Sequence, residues 1–163
     1  MTLIFRKAVE TDLPAIVRLL ADDQLGARRE TDVTDLAPYR HALHEISADR
    51  NQFLCVAERD GQVLGTLQLT FIPGLSRAGA KRGQIEAVRV ARDHRNAGIG
   101  RAMLDWAIAQ CRAQNCALVQ LTTDRSRSDA HRFYDSLGFT ASHLGYKLTL
   151  GPVRDHPVTN SAD

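Results

Sequence analysis

The run Ile85-Glu86-Ala87-Val88-Arg89-Val90 passes through Arg95-Asn96-Ala97-Gly98-Ile99-Gly100-Arg101 into an amphipathic stretch that continues to about Gln114. A strand, a glycine-bearing turn and a helix in direct succession constrain the fold more than any other part of this chain. Met103, Leu104, Ala107, Ile108 and Cys111 fall on one helical stripe, with Arg101, Asp105 and Arg112 opposite, so the helix must pack one side against a sheet. At its start several backbone N–H groups lack an intrahelical acceptor, and Gly98 and Gly100 carry no Cβ to hold a ligand off the main chain. With Arg95 and Arg101 beside them, these donors suit a phosphate or diphosphate.

Two nucleotide-binding motifs fail on residue type. A P-loop needs Lys-Ser or Lys-Thr after its last glycine, and Gly100 is followed by Arg101-Ala102. A dinucleotide fingerprint belongs to the first βαβ unit and carries a third glycine, whereas this motif lies past the middle of the chain and lacks one. A bare Gly-x-Gly also fits a connecting loop that binds nothing.

A second motif, Phe133-Tyr134-Asp135-Ser136-Leu137-Gly138-Phe139, narrows the choice. Together with Arg-x-x-Gly-x-Gly after a Val-x-Val strand, it resembles the GNAT superfamily of acetyl-CoA-dependent N-acetyltransferases. The resemblance runs from Leu3 to Leu150. It implies a mixed α/β fold, α+β-like, with a central, mostly antiparallel sheet of about six to seven strands flanked by about four helices. It also implies acetyl-CoA as cosubstrate. The main chain of Val88, Arg89 and Val90 would pair with the pantetheine arm, an N–H at Val88 polarising the acetyl carbonyl. The loop Arg95, Asn96, Ala97, Gly98, Ile99, Gly100 and Arg101 would hold the pyrophosphate. Where many members have an Asn against the pantetheine, this chain offers Ser126, Ser128 or Asp129.

Composition agrees with one such domain over 1–150 and a loose tail at 151–163. The 163 residues include 44% hydrophobic and 25% charged side chains, which suits one globular core and excludes a largely disordered chain. No apolar run approaches about 18 residues and no signal-peptide pattern opens the chain, so a cytoplasmic protein without membrane contact is expected. A net charge of +2 does not point to nucleic acid. Cys55, Cys111 and Cys116 read as small apolar residues without a disulfide. His41 and His44 share a helix face but have no carboxylate motif beside them, so no metal is expected.

The spacing predicts a strand at 3–8, then a helix at 12–22 begun by Thr11 or Asp12, with Pro14 in its first turn. After a charged loop at 23–34 comes a helix at 35–48. Strands at 52–59 and 62–72 are joined by the hairpin signal Asp60-Gly61. A loop at 73–83 leads to a strand at 84–91. After the long helix follow a strand at 117–123, a short helix at 129–136 ended by Gly138, and a last strand over 139–150 with a break at Gly145.

Acetyl transfer needs a base for the amine and an acid for the thiolate. Alternation along the central strand places Gln84, Glu86, Val88 and Val90 on one face and Ala87 and Arg89 on the other. Glu86 is the carboxylate there, and desolvation on an apolar strand would move it toward a base's range. The alternative is a Glu paired with a nearby cation or N–H. Members similar to diamine acetyltransferases carry a base at the position of Glu86, whereas others place it at the position held here by Gln84. Tyr134 is the candidate acid by the same resemblance; the alternative is a Tyr packed between helix and sheet. The run Thr122 to Tyr134 with Ser142-His143 is similar to a subgroup that includes aminoalkylphosphonate acetyltransferases, and His131 and His143 stand either near an acceptor or in surface or core positions. The expected reaction is direct attack of a small-molecule primary amine on acetyl-CoA. Acetylation of a protein N-terminus or lysine, and a non-catalytic acyl-CoA-binding regulatory module, are the alternatives. The alternating apolar positions of the last strand also suit a homodimer.

Overall fold

The computed structural model describes residues 2–22, 26–30 and 32–151. The tail expectation from Pro152 onward and part of the 23–34 loop lie outside the described residues.

Among the described residues the strands and the longer helices follow in the order β1 (Ile4–Lys7), α1 (Leu13–Ala21), α2 (Ala37–Ala48), β2 (Gln52–Arg59), β3 (Gln62–Ile72), β4 (Lys81–Val90), α3 (Ile99–Ala113), β5 (Cys116–Leu121) and α4 (Ser128–Ser136), with short helical turns at Glu10–Asp12, Ser76–Gly79 and Arg92–His94. The strands make one sheet in the order β1-β2-β3-β4-β5. All neighbours are antiparallel except β4 and β5, which run parallel because α3 carries the chain back between them. The period of two in β2 separates the two layers: Cys55 and Ala57 join the core under α3, while Leu54 and Val56 join the core under α1 and α2.

Local chemistry sets the boundaries. Asp60 and Gly61 both have positive φ, 54° and 76°, as a two-residue hairpin turn requires. A 3₁₀ turn at Glu10–Asp12 leads into α1, and it is closed by the Asp12 carboxylate, which accepts the Val9 N–H at 2.9 Å and two bonds from Arg6 at 2.7 and 2.9 Å. That pair is buried at Asp12, and the Arg6 guanidinium holds the carboxyl below its ordinary range. α3 lies close on the sheet because two positions have no side chain. A Cβ on Gly83 would stand 2.2 Å from Cys111 Sγ, and one on Gly65 would stand 2.7 Å from Met103 Sδ.

The structure corrects three expectations. Among the described residues the sheet has five strands, because 139–150 forms no ladder within the single chain. β4 begins at Lys81 and not at 84, since Arg82 and Gly83 already pair with Ile72 and Phe71. β5 stops at Leu121, ahead of an Asx turn in which Asp124 Oδ1 accepts from Ser126 N at 3.0 Å and Ser126 Oγ at 2.7 Å. Among the described residues no helix is long and apolar enough to cross a membrane.

Candidate active site

β4 and β5 part company at one point, just before the expected cofactor strand of Val88 to Val90. Their parallel ladder ends at Ile85 opposite Leu121, so from Glu86 onward β4 pairs only with β3. Val88 to Val90 therefore expose a strand edge to the gap between β4 and β5, and an extended chain with amide groups could bond to it.

The same stretch carries a bulge that alternation does not foresee. Glu86 pairs with Gln68 and Arg89 pairs with Thr66, which leaves Ala87 and Val88 opposite the single residue Leu67. Ala87 sits at φ 52°. Two residues against one shift the period, so Glu86 and Arg89 leave the strand on the same face although three positions apart. Val90 points the other way, toward α3: it pairs with Gly65, whose Cβ direction meets Met103. The expected grouping of Glu86 with Val90, and of Arg89 apart from them, is thus reversed at the bulge. Glu86 is exposed, so the burial on which its base character was argued is not there.

The glycine loop has the form an anion would need. Asn96 and Gly98 have positive φ, 63° and 78°, and Gly98 is the N-cap of α3 with no side chain capping it. Left-handed residues alternating along a short loop turn successive N–H groups to one side. A Cβ on Gly98 would meet nothing within 4 Å, so the approach is open. One on Gly100 would touch Phe133 Cζ at 3.6 Å and Val90 Cγ2 at 3.7 Å, so the start of α3 packs beside the end of β4 and beside α4. Ile99 is buried and Ala97 and Arg101 are exposed.

Arg95 crosses back over this loop. Its Nε donates to Val90 O at 3.1 Å and its Nη2 to Asp22 Oδ2 at 2.9 Å and Asp22 O at 3.2 Å. Arg92 reaches the same carboxylate at 2.8 Å. Beside this clamp lies a cleft of about 460 Å³ between α1 and the end of β4, lined by Arg18, Leu19, Val33 and Ala91 among others. Asp22 was missed in the sequence because no motif links it to a loop some 70 residues away.

Tyr134 is half-buried in α4, with its ring near Phe133 and Phe139. Burial raises its phenol, while Arg127 and Arg89 oppose the rise. The group is protonated at neutral pH and able to donate. The other candidates sort by their partners. Asp129 is exposed and ion-paired with Arg132, His131 Nε2 lies 2.9 Å from Asp124 O, and His143 Nδ1 lies 2.8 Å from Ser142 Oγ. His41 and His44 face Glu45 and Glu10 at 3.7 and 3.9 Å on an exposed surface. Burial pushes the Cys55 and Cys111 thiols up to about 12, which leaves them weak nucleophiles.

The profile of the acetyltransferase (GNAT) family matches residues 13–139, from α1 to the end of the Phe-Tyr motif. The chain belongs to the GNAT acetyltransferases. As a GNAT enzyme it is 31% identical over 116 residues to the aminoalkylphosphonate N-acetyltransferase of Salmonella typhimurium, a match covering 71% of this chain and 75% of that one. The glucosamine 6-phosphate N-acetyltransferase of Trypanosoma brucei brucei is 32% identical over 90 residues, 55% of this chain and 59% of that one. Among solved structures, a protein described as a transcriptional regulator from Bacillus halodurans C-125 superposes with a TM-score of 0.87 at 43% identity, covering 91% of this GNAT chain and 99% of the other. GNAT acetyltransferases use acetyl-CoA as their acyl donor.

Proposed function

We propose that this GNAT enzyme transfers the acetyl group of acetyl-CoA to the primary amine of a small molecule by direct attack, in the cytoplasm and as a homodimer. The observation that carries the reading is the parting of β4 from β5 at Ile85, directly before an uncapped glycine loop and within one domain with Tyr134. In this reading the pantetheine pairs along Val88, Arg89 and Val90, and the pyrophosphate takes the N–H groups of the 95–101 loop with Arg95 and Arg101. The amine nitrogen bonds to the thioester carbon and the C–S bond breaks. Glu86 takes the ammonium proton, directly or through water, and Tyr134 gives its proton to the departing thiolate. The exposure of Glu86 favours access for water and acceptor. The weakly nucleophilic Cys55 and Cys111 support a route without an acetylated enzyme.

Both N-acetyltransferases named above act on amines that also carry a phosphonate or phosphate group, so such acceptors head the test. A screen of aminoalkylphosphonates, amino sugar phosphates, diamines, and peptides with free N-termini or lysines is run with acetyl-CoA, reading thiol release. Turnover of a small amine supports the reading, and turnover confined to peptides would replace it with a protein acceptor. Gly100→Asp should abolish acetyl-CoA binding in calorimetry, and unchanged affinity would remove the cofactor site. Acetyl trapped on Cys55, Cys111 or Cys116 during turnover would overturn direct attack. The description of the Bacillus protein favours a second reading, in which the acyl-CoA complex also serves a regulatory role.

A further inference from the structure

We infer that the amine acceptor carries several uncharged hydroxyl groups and lies on a row of polar side chains crossing the sheet beside Glu86, with Gln84 and Gln120 as the residues that select it. The inference rests on the acetyl-transfer reading above and names the class of acceptor that the site takes.

The row follows from the strand register. Gln52 on β2 pairs with Thr70 on β3, Thr70 with Gln84 on β4, and Gln84 with Gln120 on β5. Four neighbouring strands thus present a polar residue at one level, over roughly 14 Å at ordinary strand spacing. The row has a definite face. Gly83 and Ile85, the neighbours of Gln84 along β4, turn to the α3 layer, since a Cβ on Gly83 would meet Cys111 and Ile85 belongs to the core beneath α3. Gln52 is two positions before Leu54, which packs with the residues of α1 and α2, so the row shares the face of those helices. Gln52, Thr70 and Gln84 are half-buried, and Gln120 is exposed.

The side chains are already ordered. Thr70 Oγ1 and Gln68 Nε2 both donate to Gln52 Oε1, at 2.8 and 3.0 Å, and Gln120 Nε2 donates to Gln84 Oε1 at 2.7 Å. Those bonds use one end of each carboxamide. The other ends, Gln52 Nε2, Gln84 Nε2, Gln68 Oε1 and Gln120 Oε1, have no partner among the described residues. A set of donors and acceptors held in fixed positions matches hydroxyls, which give and take a hydrogen bond at the same oxygen. Their prior order also spares a ligand the entropy of fixing long side chains.

Position ties the row to the reaction. Glu86 is two residues from Gln84 on the same face, roughly 7 Å along the strand, and stands opposite Gln68 in the β3 ladder. A ring-sized amine with its nitrogen at Glu86 therefore reaches the row with its other end. Charge favours a neutral body for that molecule. No member of the row is charged, and Arg82, the cation past the row along β4, has its Nη1 3.9 Å from where a Cβ on Gly74 would stand, so it is turned to the loop after β3. An anionic tail lying on the row would find carboxamides there and no cation.

The test compares matched amines with acetyl-CoA, reading thiol release. Inosamine, a cyclohexane ring bearing an amine and a hydroxyl at every remaining carbon, is set against cyclohexylamine and 2-aminoethylphosphonate. Its kcat/KM should exceed that of either at least about 100-fold, because a site built to bond hydroxyls is left with unpaired groups by an analogue that lacks them. Gln84→Leu and Gln120→Leu should each shrink the preference for inosamine over cyclohexylamine about tenfold, through the KM for inosamine. A merely structural loss lowers both amines alike and leaves their ratio unmoved. Gln120 is exposed, so its variant carries the test if Gln84→Leu does not fold. Equal use of inosamine and cyclohexylamine would overturn the inference, as would a ratio unchanged in both variants or a preference for 2-aminoethylphosphonate. In each of those results acetyl transfer to a small amine persists, so the enzyme reading stands. Thiol release with peptide amines alone would overturn the small-amine reading and this inference together.

Discussion

Arg95 and Asp22 are joined across the molecule at 2.9 Å, tying the glycine loop before α3 to the end of α1. With its Nε on Val90 O, the guanidinium is held at the end of the β4 edge, and its side chain is still 41% exposed. An exposed pair of this kind stabilises the fold by little. Its consequence is positional: a cation otherwise free to sample many rotamers is kept beside the loop donors. Arg95→Ala should raise the KM for acetyl-CoA about tenfold and leave kcat within about twofold, because a phosphate contact binds ground and transition states alike. Steady-state kinetics at saturating amine would check this, and an equal fall in kcat with unchanged KM would place Arg95 in the chemistry.

Tyr134→Phe should lower kcat by roughly 10²- to 10⁴-fold while acetyl-CoA affinity changes little, and Glu86→Gln should do the same through the other proton. The pH dependence separates the two. Burial raises the Tyr134 phenol, so the alkaline limb of the wild-type rate should lie above the ordinary phenol value of about 10 and vanish in Tyr134→Phe. An unchanged alkaline limb in that variant would mean that another group supplies the proton.

Gly83→Ala tests the contact between α3 and the sheet. Its Cβ would fall 2.2 Å from the sulfur of buried Cys111, so helix or strand must shift. Overpacking of this order should cost about 2 kcal/mol and lower Tm by roughly 4–8 °C. Cys111→Ala in the same chain should restore much of the loss by vacating the space. A Gly83→Ala protein that melts with the wild type would show that the layers have slack.

The Asp12 carboxylate is lowered below its ordinary value first by the hydrogen bond from Arg6 and further by the Val9 N–H, against an opposing desolvation. A depressed folded-state pKa means the stabilisation is fully present above the unfolded value of about 3.9 and is lost as pH falls through the folded value. Asp12→Asn should therefore destabilise by about 2 kcal/mol at pH 7, with the difference from wild type shrinking below about pH 4. Urea titrations across that range would show it, and a difference constant down to pH 2 would mean the charge is not what holds the cap.

The order of elements, the Asp60-Gly61 hairpin, the helical stripe of α3 and the glycine loop at its start were legible from residue spacing, because each depends on neighbours within a turn or two of chain. Periodicity of 2 or 3.6 is a local property, and so is the left-handed freedom of Gly98. The bulge at Ala87 was not legible. It depends on how β4 registers against β3, and it sent Glu86 and Arg89 to one face where simple alternation had separated them. The partners Asp22 and Arg95 came together only by folding, since no local pattern marks a contact between α1 and a loop far along the chain. The last strand shows the division most plainly. Its alternation announced an apolar face to be buried, but a strand forms only where another edge accepts its hydrogen bonds. Among the described residues no strand edge meets 143–150, so the alternation marked an apolar face that only the tertiary structure could cover or leave exposed, and its four large apolar side chains stand exposed.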